Sequence, residues 1–414
     1  MENAVTAAQD TRQLSSCVRH SSFRRIKRGS VITMSSGASP FRPLSLSHGD
    51  AAYLKELVHV FVQHQVESYE RHLHQDHEHI DNKRWKPTLQ RDTMKVFSEQ
   101  AGVQRSNPVD DPDFVNQPEP PDMADLPALL AIGHMEGSLD DAMYGLMALT
   151  VDAMRLKYFY AGDQLANGAV LATIESPSAT TPFQSLTVKW VEGYQPPIIR
   201  SIMHKRDFVY MEATGFTKLN DGELIGYHLL HSVHFPQTPT VGDNVRGTMS
   251  VCALYKQRNH SLVDVFARAS VNSGGHVCRA SATKYCATAL ISARKQVHCA
   301  RLKKLAWLLR TRDTGPNSTF IRGDPKCIGL KVELGFVSRI GVLVPKKLWF
   351  CTYCVDEAAR TSSRVVACGE HSDTRLYEPT PWSSGPTGAS SPSSSDRDDE
   401  WGSLDSKRYL NLLP

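Results

Sequence analysis

What most constrains this chain is a stretch of about one hundred residues that reads as consecutive strands and runs straight into a long segment free of glycine and proline. Strand-like segments lie near 169–175, 185–192, 206–217, 223–235, 244–257 and 262–272, divided by Pro196-Pro197, Asp221-Gly222, Pro236–Pro239 and Gly242-Asp243. Several alternate with period two: Leu186, Val188 and Trp190 share a face, as do Val245, Met249, Val251, Ala253 and Tyr255, and Val263, Val265, Ala267, Ala269 and Val271. Such alternation marks antiparallel strands with one packed face and one wet face. Residues 280–310 then carry Cys286, Leu290, Ala293, Val297 and Ala300 at helical spacing, with Arg294, Lys295, Arg301, Lys303 and Lys304 on the polar side. A sheet with one apolar face must bury it, and this helix is the partner at hand. The expected class is α+β: a curved antiparallel sheet around a long C-terminal helix, with disordered flanks.

The elements before the sheet fit the same plan. Leu54, Leu57, Val58, Phe61, Val62, Val66 and Tyr69 form one face of a helix within 50–79. Its end holds His72, His74, His77 and His79, which read as a solvated polar terminus rather than a metal site, because no cysteine or carboxylate pattern accompanies them. Arg84–Gln100 reads as two short strands turning at Arg91-Asp92, residues 105–125 as a Pro/Asp surface loop, and Leu126–Glu136 as a buried strand. Ser138 is an N-cap for a helix over Ser138–Met147, with Asp140 and Asp141 in its first turn, and Val151–Tyr160 gives a second helical piece. No internal repeat is visible. Residues 1–40 form a basic, Ser/Arg-rich extension expected to be disordered, with a targeting segment or an arm for anionic membranes as the functional alternatives. Residues 376–414 are a Ser/Pro-rich tail, also expected to be disordered.

Charge becomes informative when it is located. The chain of 414 residues has a net charge of +4, yet residues 281–312 alone hold eight basic and no acidic residues. The body before them, 51–280, sums to −7. No apolar run reaches the ~18 residues a spanning helix needs. The N-terminus is polar and lacks the apolar core of a secretory signal, and the nine cysteines fit a reducing compartment. A cytoplasmic chain, peripheral at membranes when it meets them, is expected. Nucleic acid is not an expected partner, since the basic residues sit on one helix without aromatics interleaved on the sheet.

The order of elements resembles the helix-grip fold of START-type lipid-binding domains. Particular stretches resemble oomycete proteins that join a START-like domain to a FYVE-like zinc finger: Phe41-Arg-Pro-Leu-Ser-Leu-Ser47, Gly137-Ser-Leu-Asp-Asp-Ala-Met-Tyr-Gly145, Pro182-Phe-Gln-Ser-Leu-Thr-Val-Lys-Trp190, Lys205-Arg-Asp-Phe-Val-Tyr-Met-Glu212, Gly226-Tyr-His-Leu-Leu-His-Ser-Val233 and Arg246-Gly-Thr-Met-Ser-Val-Cys252. The resemblance covers roughly residues 41–310 and divides the chain into a START-like lipid-binding domain, 41–312, and a degenerate finger remnant, 313–375. It implies a tunnel between the sheet and the last helix that takes one lipid or similar apolar molecule, with intermembrane transfer as the finer expectation. The helix 281–312 would be the lid, its basic face meeting an anionic membrane surface. The small side chains of Ala267, Ala269 and Val271 favour an open tunnel over a filled one. A helix-grip enzyme, cyclase- or hydrolase-like, and a ligand-free scaffold are the alternatives. No G-x-S-x-G, P-loop or paired-carboxylate geometry supports catalysis, so a non-enzymatic role is expected.

The candidate ligand-lining residues are His231, Tyr227, Tyr210, Arg206, Glu212, Met249 and Trp190. Tyr227, Leu229, His231, Val233 and Phe235 share a parity, and their apolar character points that face inward. His231 is then placed to orient a ligand hydroxyl or headgroup, or else is a core histidine satisfied by a backbone carbonyl. Three histidines in the pattern His228-x-x-His231-x-x-His234 cannot converge on one metal from a regular strand. Arg206 and Glu212 flank Phe208 and Tyr210 on one parity; each is a buried tunnel charge needing a partner, or part of an ion pair on the outer face.

Cys351-Thr-Tyr-Cys354, after Lys346-Lys-Leu-Trp-Phe350 and before a helix-like Val355–Val366, resembles the last cysteine pair and terminal helix of a FYVE-type finger. A zinc site needs four ligands, and upstream stands only Cys327. A truncated finger that binds no metal is the first reading. A rearranged single-zinc site from Cys327, Cys351, Cys354 and Cys368 or His371 is the second, and a redox CxxC the third.

Overall fold

The first helix, α1 (His48–His74), starts where a capping box allows it. The Ser47 hydroxyl accepts from the Asp50 amide at 3.1 Å, and the Asp50 carboxylate accepts from the Ser47 amide at 3.0 Å. It ends before the last two of its histidines, because His77 and Glu78 adopt left-handed backbone angles. A computed structural model describes residues 39–100, 128–163, 165–193, 204–275, 279–312, 329–338 and 341–372. The extension before residue 39, the Pro/Asp stretch 101–127, Cys327 and the tail after 372 lie outside them. All described residues belong to one compact unit.

Ten strands form one sheet: β1 (Trp85–Arg91), β2 (Met94–Glu99), β3 (Leu129–Glu136), β4 (Leu165–Glu175), β5 (Ser185–Gly193), β6 (Arg206–Lys218), β7 (Leu224–Ser232), β8 (Val245–Arg246), β9 (Thr248–Asn259) and β10 (Leu262–Asn272). Their spatial order is β1-β2-β3-β10-β9-β7-β6-β5-β4, all antiparallel, with β8 pairing parallel to the start of β6. The chain leaves the sheet after β3 to make α2 (Leu139–Leu146) and α3 (Val151–Ala161), then returns at the far edge. The N-caps Ser138 and Thr150 fix where those helices begin.

Both faces of the sheet are covered, and that decides where a site can be. On one face α1 packs Leu54, Leu57, Val62, Val66 and Tyr69 against Leu130, Leu229, Leu254 and Phe266. On the other lie α2 and the two C-terminal helices α4 (Arg279–Ile291) and α5 (Gln296–Arg312). The expected α+β architecture, an antiparallel sheet gripping the C-terminal segment, is present. That segment is not one helix, however. A 3-10 turn, Ser292–Lys295, divides it, with the Ser292 hydroxyl donating back to the Ala289 carbonyl at 2.6 Å. Arg294 reaches Asp92 in the β1–β2 turn and Lys295 reaches the Ala161 carbonyl that ends α3.

The C-terminal stretch expected as a finger remnant is a hairpin, β11 (Gly329–Val337) with β12 (Leu343–Cys351), followed by α6 (Thr352–Arg360) and α7 (Ser363–Ser372). The single helix expected over Val355–Val366 is thus two. This unit does not stand apart. Leu334, Phe350, Cys354 and Ala358 pack with Tyr160 of α3 and with Cys299, Leu302, Leu305 and Leu309 of α5. Val366 and Ala367 of α7 enter the core between sheet and helices. Asp140 and Asp141, expected only as first-turn acids of α2, are its anchor. Arg364 donates to both Asp140 oxygens at 2.7 and 2.8 Å. Asp141 accepts from Ser363 at 2.5 Å and from Lys304 at 2.8 Å.

The basic face expected on the C-terminal helix is largely turned inward. Lys304 is buried, donating to Asp141 and to the Ala359 and Thr361 carbonyls at 3.3 and 3.1 Å. Lys303 donates to the Tyr144 and Met147 carbonyls at 2.9 and 3.2 Å, capping the end of α2, and lies over the Tyr144 ring. Burial pushes the Lys303 ammonium down to about 8. A charge that reads as solvated in sequence is here internal structure.

Candidate functional site

The sheet's inner face divides into two halves of different chemistry. On β3, β9 and β10 it is apolar: Leu129, Ala131, Ala253, Tyr255, Val265, Ala267 and Ala269 are buried under Cys286, Ala287 and Leu290 of α4 and under α2. The small face expected to leave an open tunnel is therefore filled. On β5, β6 and β7 the same face is polar. Strand register places Thr187 opposite Glu212, Lys189 opposite Tyr210 and His228 opposite Thr214, so these side chains share one side.

There a carboxylate sits among three donors. The Lys157 ammonium of α3 lies 3.2 Å from Glu212 Oε1, and His228 Nε2 lies 2.7 Å from the same oxygen. Glu212 Oε2 is paired with Lys189, whose Nζ also donates to the Ala148 carbonyl at 2.6 Å. Glu212, Lys189 and His228 are all buried. Burial by itself would raise the Glu212 carboxyl. Lys157, Lys189 and the His228 hydrogen bond override it and hold the group well below the usual carboxylate range. Burial lowers Lys189 against the opposing pull of Glu212, and lowers His228 against its hydrogen bond to the same carboxylate, so the imidazole is neutral and donates from Nε2.

Three phenols extend the cluster. Tyr210 of β6 and Tyr158 of α3 have pKa values raised by burial and then by each other or by Glu212. Tyr285 of α4 is raised by burial and by Cys286 and Asp163, although 61% of its surface is exposed. Its hydroxyl lies 3.9 Å from the point where a side chain would begin at Gly193, the end of β5. Two cations around one carboxylate leave an excess positive charge at the cluster, an arrangement suited to an anionic or acceptor-rich group.

The expected residues distribute between the two faces. Tyr210 and Glu212 are in the cluster, and Glu212 is a buried, paired charge rather than half of an outer-face pair. Arg206 shares their parity but sits at the end of β6, where it donates to the Ser273 carbonyl at 3.3 Å. Met249 is on the inner face of β9, half-buried, next to Val271 of β10. His231, Tyr227 and Trp190 are on the other face, a correction to the inward reading. His231 stacks on Phe61 of α1 with ring centroids 4.2 Å apart, and its Nδ1 meets Ser250 Oγ at 3.1 Å. Tyr227 packs in the α1-side core, and Trp190 meets Phe41 edge-on while donating to Asp207 at 2.9 Å. The apolar side of β7, expected to face inward, is the side that α1 covers. Lys157, Lys189 and His228 were missed. Opposite charges and a histidine at matching parity on three neighbouring strands are the signal that would have found Lys189 and His228; Lys157, on α3, carries no such signal.

Among the described residues no three His, Cys, Asp or Glu side chains converge on a metal-sized site. Cys354 is buried beside Phe350 and Ala358, and Cys368 directs its sulfur to the Ala179 carbonyl at 3.8 Å. Cys327 and the side chain of Cys351 lie outside the described residues. A groove of about 500 Å3 lies elsewhere, between Pro43–Leu46 and the edge strand β4.

No family model and no curated protein matches the chain. Among solved structures, the chain is similar to human STARD10 at 14% identity and a TM-score of 0.37, over 59% of this chain and 81% of that one. It is similar to human StAR-related lipid transfer protein 5 at 12% identity and a TM-score of 0.37, over 58% of this chain and 97% of that one. It is likewise similar to a STAR-related lipid transfer protein fragment from Xanthomonas axonopodis at 14% identity and a TM-score of 0.33, over 52% of this chain and 99% of that one.

Proposed function

We propose that the chain is a binding module, not an enzyme, for one lipid or similar amphipathic molecule held between the β5–β7 half of the sheet and helices α3 and α4. The observation that carries this reading is the cluster of Lys157 with the buried Lys189, Glu212 and His228, coupled to the phenols of Tyr158 and Tyr210. Protein interiors rarely hold so many ionisable groups without a task. The excess cation takes the polar end of the ligand, and the apolar flanks take its chain. Glu212 is a poor general base, because both of its oxygens already accept from ammonium or imidazole donors and its proton affinity is depressed. Transfer between membranes is the finer form of the proposal, and any membrane contact by helix 281–312 would fall to its exposed cations Lys284, Arg301 and Arg310, the last paired with Glu370.

The test is native mass spectrometry of the full chain purified from its expression host, with extraction of bound amphiphile. A stoichiometric anionic or zwitterionic lipid, lost in Lys157→Met while the fold persists by circular dichroism, is the expected result. A chain that carries no amphiphile and takes none up from mixed-lipid micelles overturns the reading.

A further inference from the structure

The surface of the β11–β12 unit combines exposed aromatic residues with lysines. One side of the hairpin is mounted on the body: Leu334 and Phe350 are buried against α3 and α5, with Val332, Phe336 and Leu348 packed around them. The other side is exposed away from the turn, where Leu343 is buried. Trp349 is 61% exposed and Tyr353, in the first turn of α6, is 70% exposed. Pro345 and Lys347 share the side of Trp349 and are exposed, as is Lys331 across from Trp349 with its ammonium 5.3 Å from the ring. Lys346, also exposed, lies on the opposite parity over the Phe336 ring. Against these three lysines, Glu333 is the one acidic residue on the described part of the hairpin.

We infer that this face docks on an anionic lipid bilayer. Tryptophan and tyrosine carry an apolar body with a polar edge, and they settle at headgroup depth where both ends are satisfied. Lysines lay their methylenes along apolar surface and raise their charge to the phosphates. Each such lysine adds roughly fivefold to affinity for an anionic surface. A strand partner is disfavoured, since Pro345, Lys346 and Lys347 line β12 in the way that exposed edges are protected against strand addition. The proposal is independent of the interior cluster. It also replaces the basic helix as the membrane-facing element, because Lys303 and Lys304 of that helix are turned inward.

The experiment is co-sedimentation of the full chain with vesicles of phosphatidylcholine alone and of phosphatidylcholine with phosphatidylserine. Binding to the phosphatidylserine vesicles is expected, falling with added salt. Trp349→Ala with Tyr353→Ala, and separately Lys331→Glu with Lys347→Glu, should each weaken it by on the order of tenfold or more. All four positions are exposed, so unchanged thermal melting checks that the fold is intact. Failure to sediment with either vesicle overturns the inference. So does binding that ignores both double variants, or capture by an acidic protein without any vesicle binding. None of these outcomes bears on whether the interior holds a ligand.

Discussion

Glu212 is the residue whose charge the interior can least do without. Replacing it by alanine leaves Lys189 and Lys157 facing each other across a buried space, and the expected loss is about 3–5 kcal/mol, read by urea unfolding at pH 7. A Lys189→Met, Glu212→Leu double variant should recover part of that loss, because removing both charges is cheaper than stranding one. His231, on the opposite face of β7, makes a different prediction. Burial pushes its ring down to about 4 from an ordinary 6.5, so the native form is neutral and the unfolded chain binds the proton first. Its contribution is complete above about pH 6.5 and is lost as the pH falls toward about 4, some ~3 kcal/mol in all. Stability measured across that window should flatten in His231→Gln, while the acid sensitivity of all other groups remains. These two residues also show what sequence can and cannot convey. Period two is plain in β6 and β7, but alternation does not say which side is inside. Where helices cover both faces of a sheet, as here, the more apolar face need not be the inner one, and a buried charged face is read as solvated.

At the scale of elements, most strands of the large sheet and the helices α1 to α3 were legible to within about five residues, because turn residues and caps are local chemistry, while the β11–β12 hairpin and the divided C-terminal helices were not. What escaped was how one element meets another. The break at Ser292–Lys295 follows no proline or glycine; Arg294 and Lys295 are drawn to Asp92 and to the Ala161 carbonyl, which only tertiary structure brings near. The closest helix contact depends on a missing side chain. A methyl group at Gly145 of α2 would lie 1.9 Å from the Gln296 carbonyl oxygen at the start of α5. Gly145→Ala must therefore push α5 off α2, and we expect a cost of about 1–3 kcal/mol or more and a melting temperature lower by several degrees. An unchanged melting curve would show that α5 does not pack on α2 at that point.

At the scale of the molecule, the C-terminal unit is part of the body. Asp141 joins α2, α5 and α7 through one carboxylate, with Lys304 only 1% exposed beside it. Asp141→Ala strands that lysine, and the expected result is a loss of about 3–5 kcal/mol with faster hydrogen exchange in residues 352–372. Exchange confined to the rest of the chain would place the keystone elsewhere. The body's dependence on α7 has a consequence for how the protein is made. Val366 and Ala367 belong to the same core as Met94 and Leu129, yet they follow the last strand of the sheet by nearly one hundred residues. At translation rates of about 5–20 residues per second, the sheet waits roughly 5–20 s with that part of its core open to solvent. A stop codon that falls after Cys351 and before Val366 yields a chain that has every strand and lacks the residues that close its core.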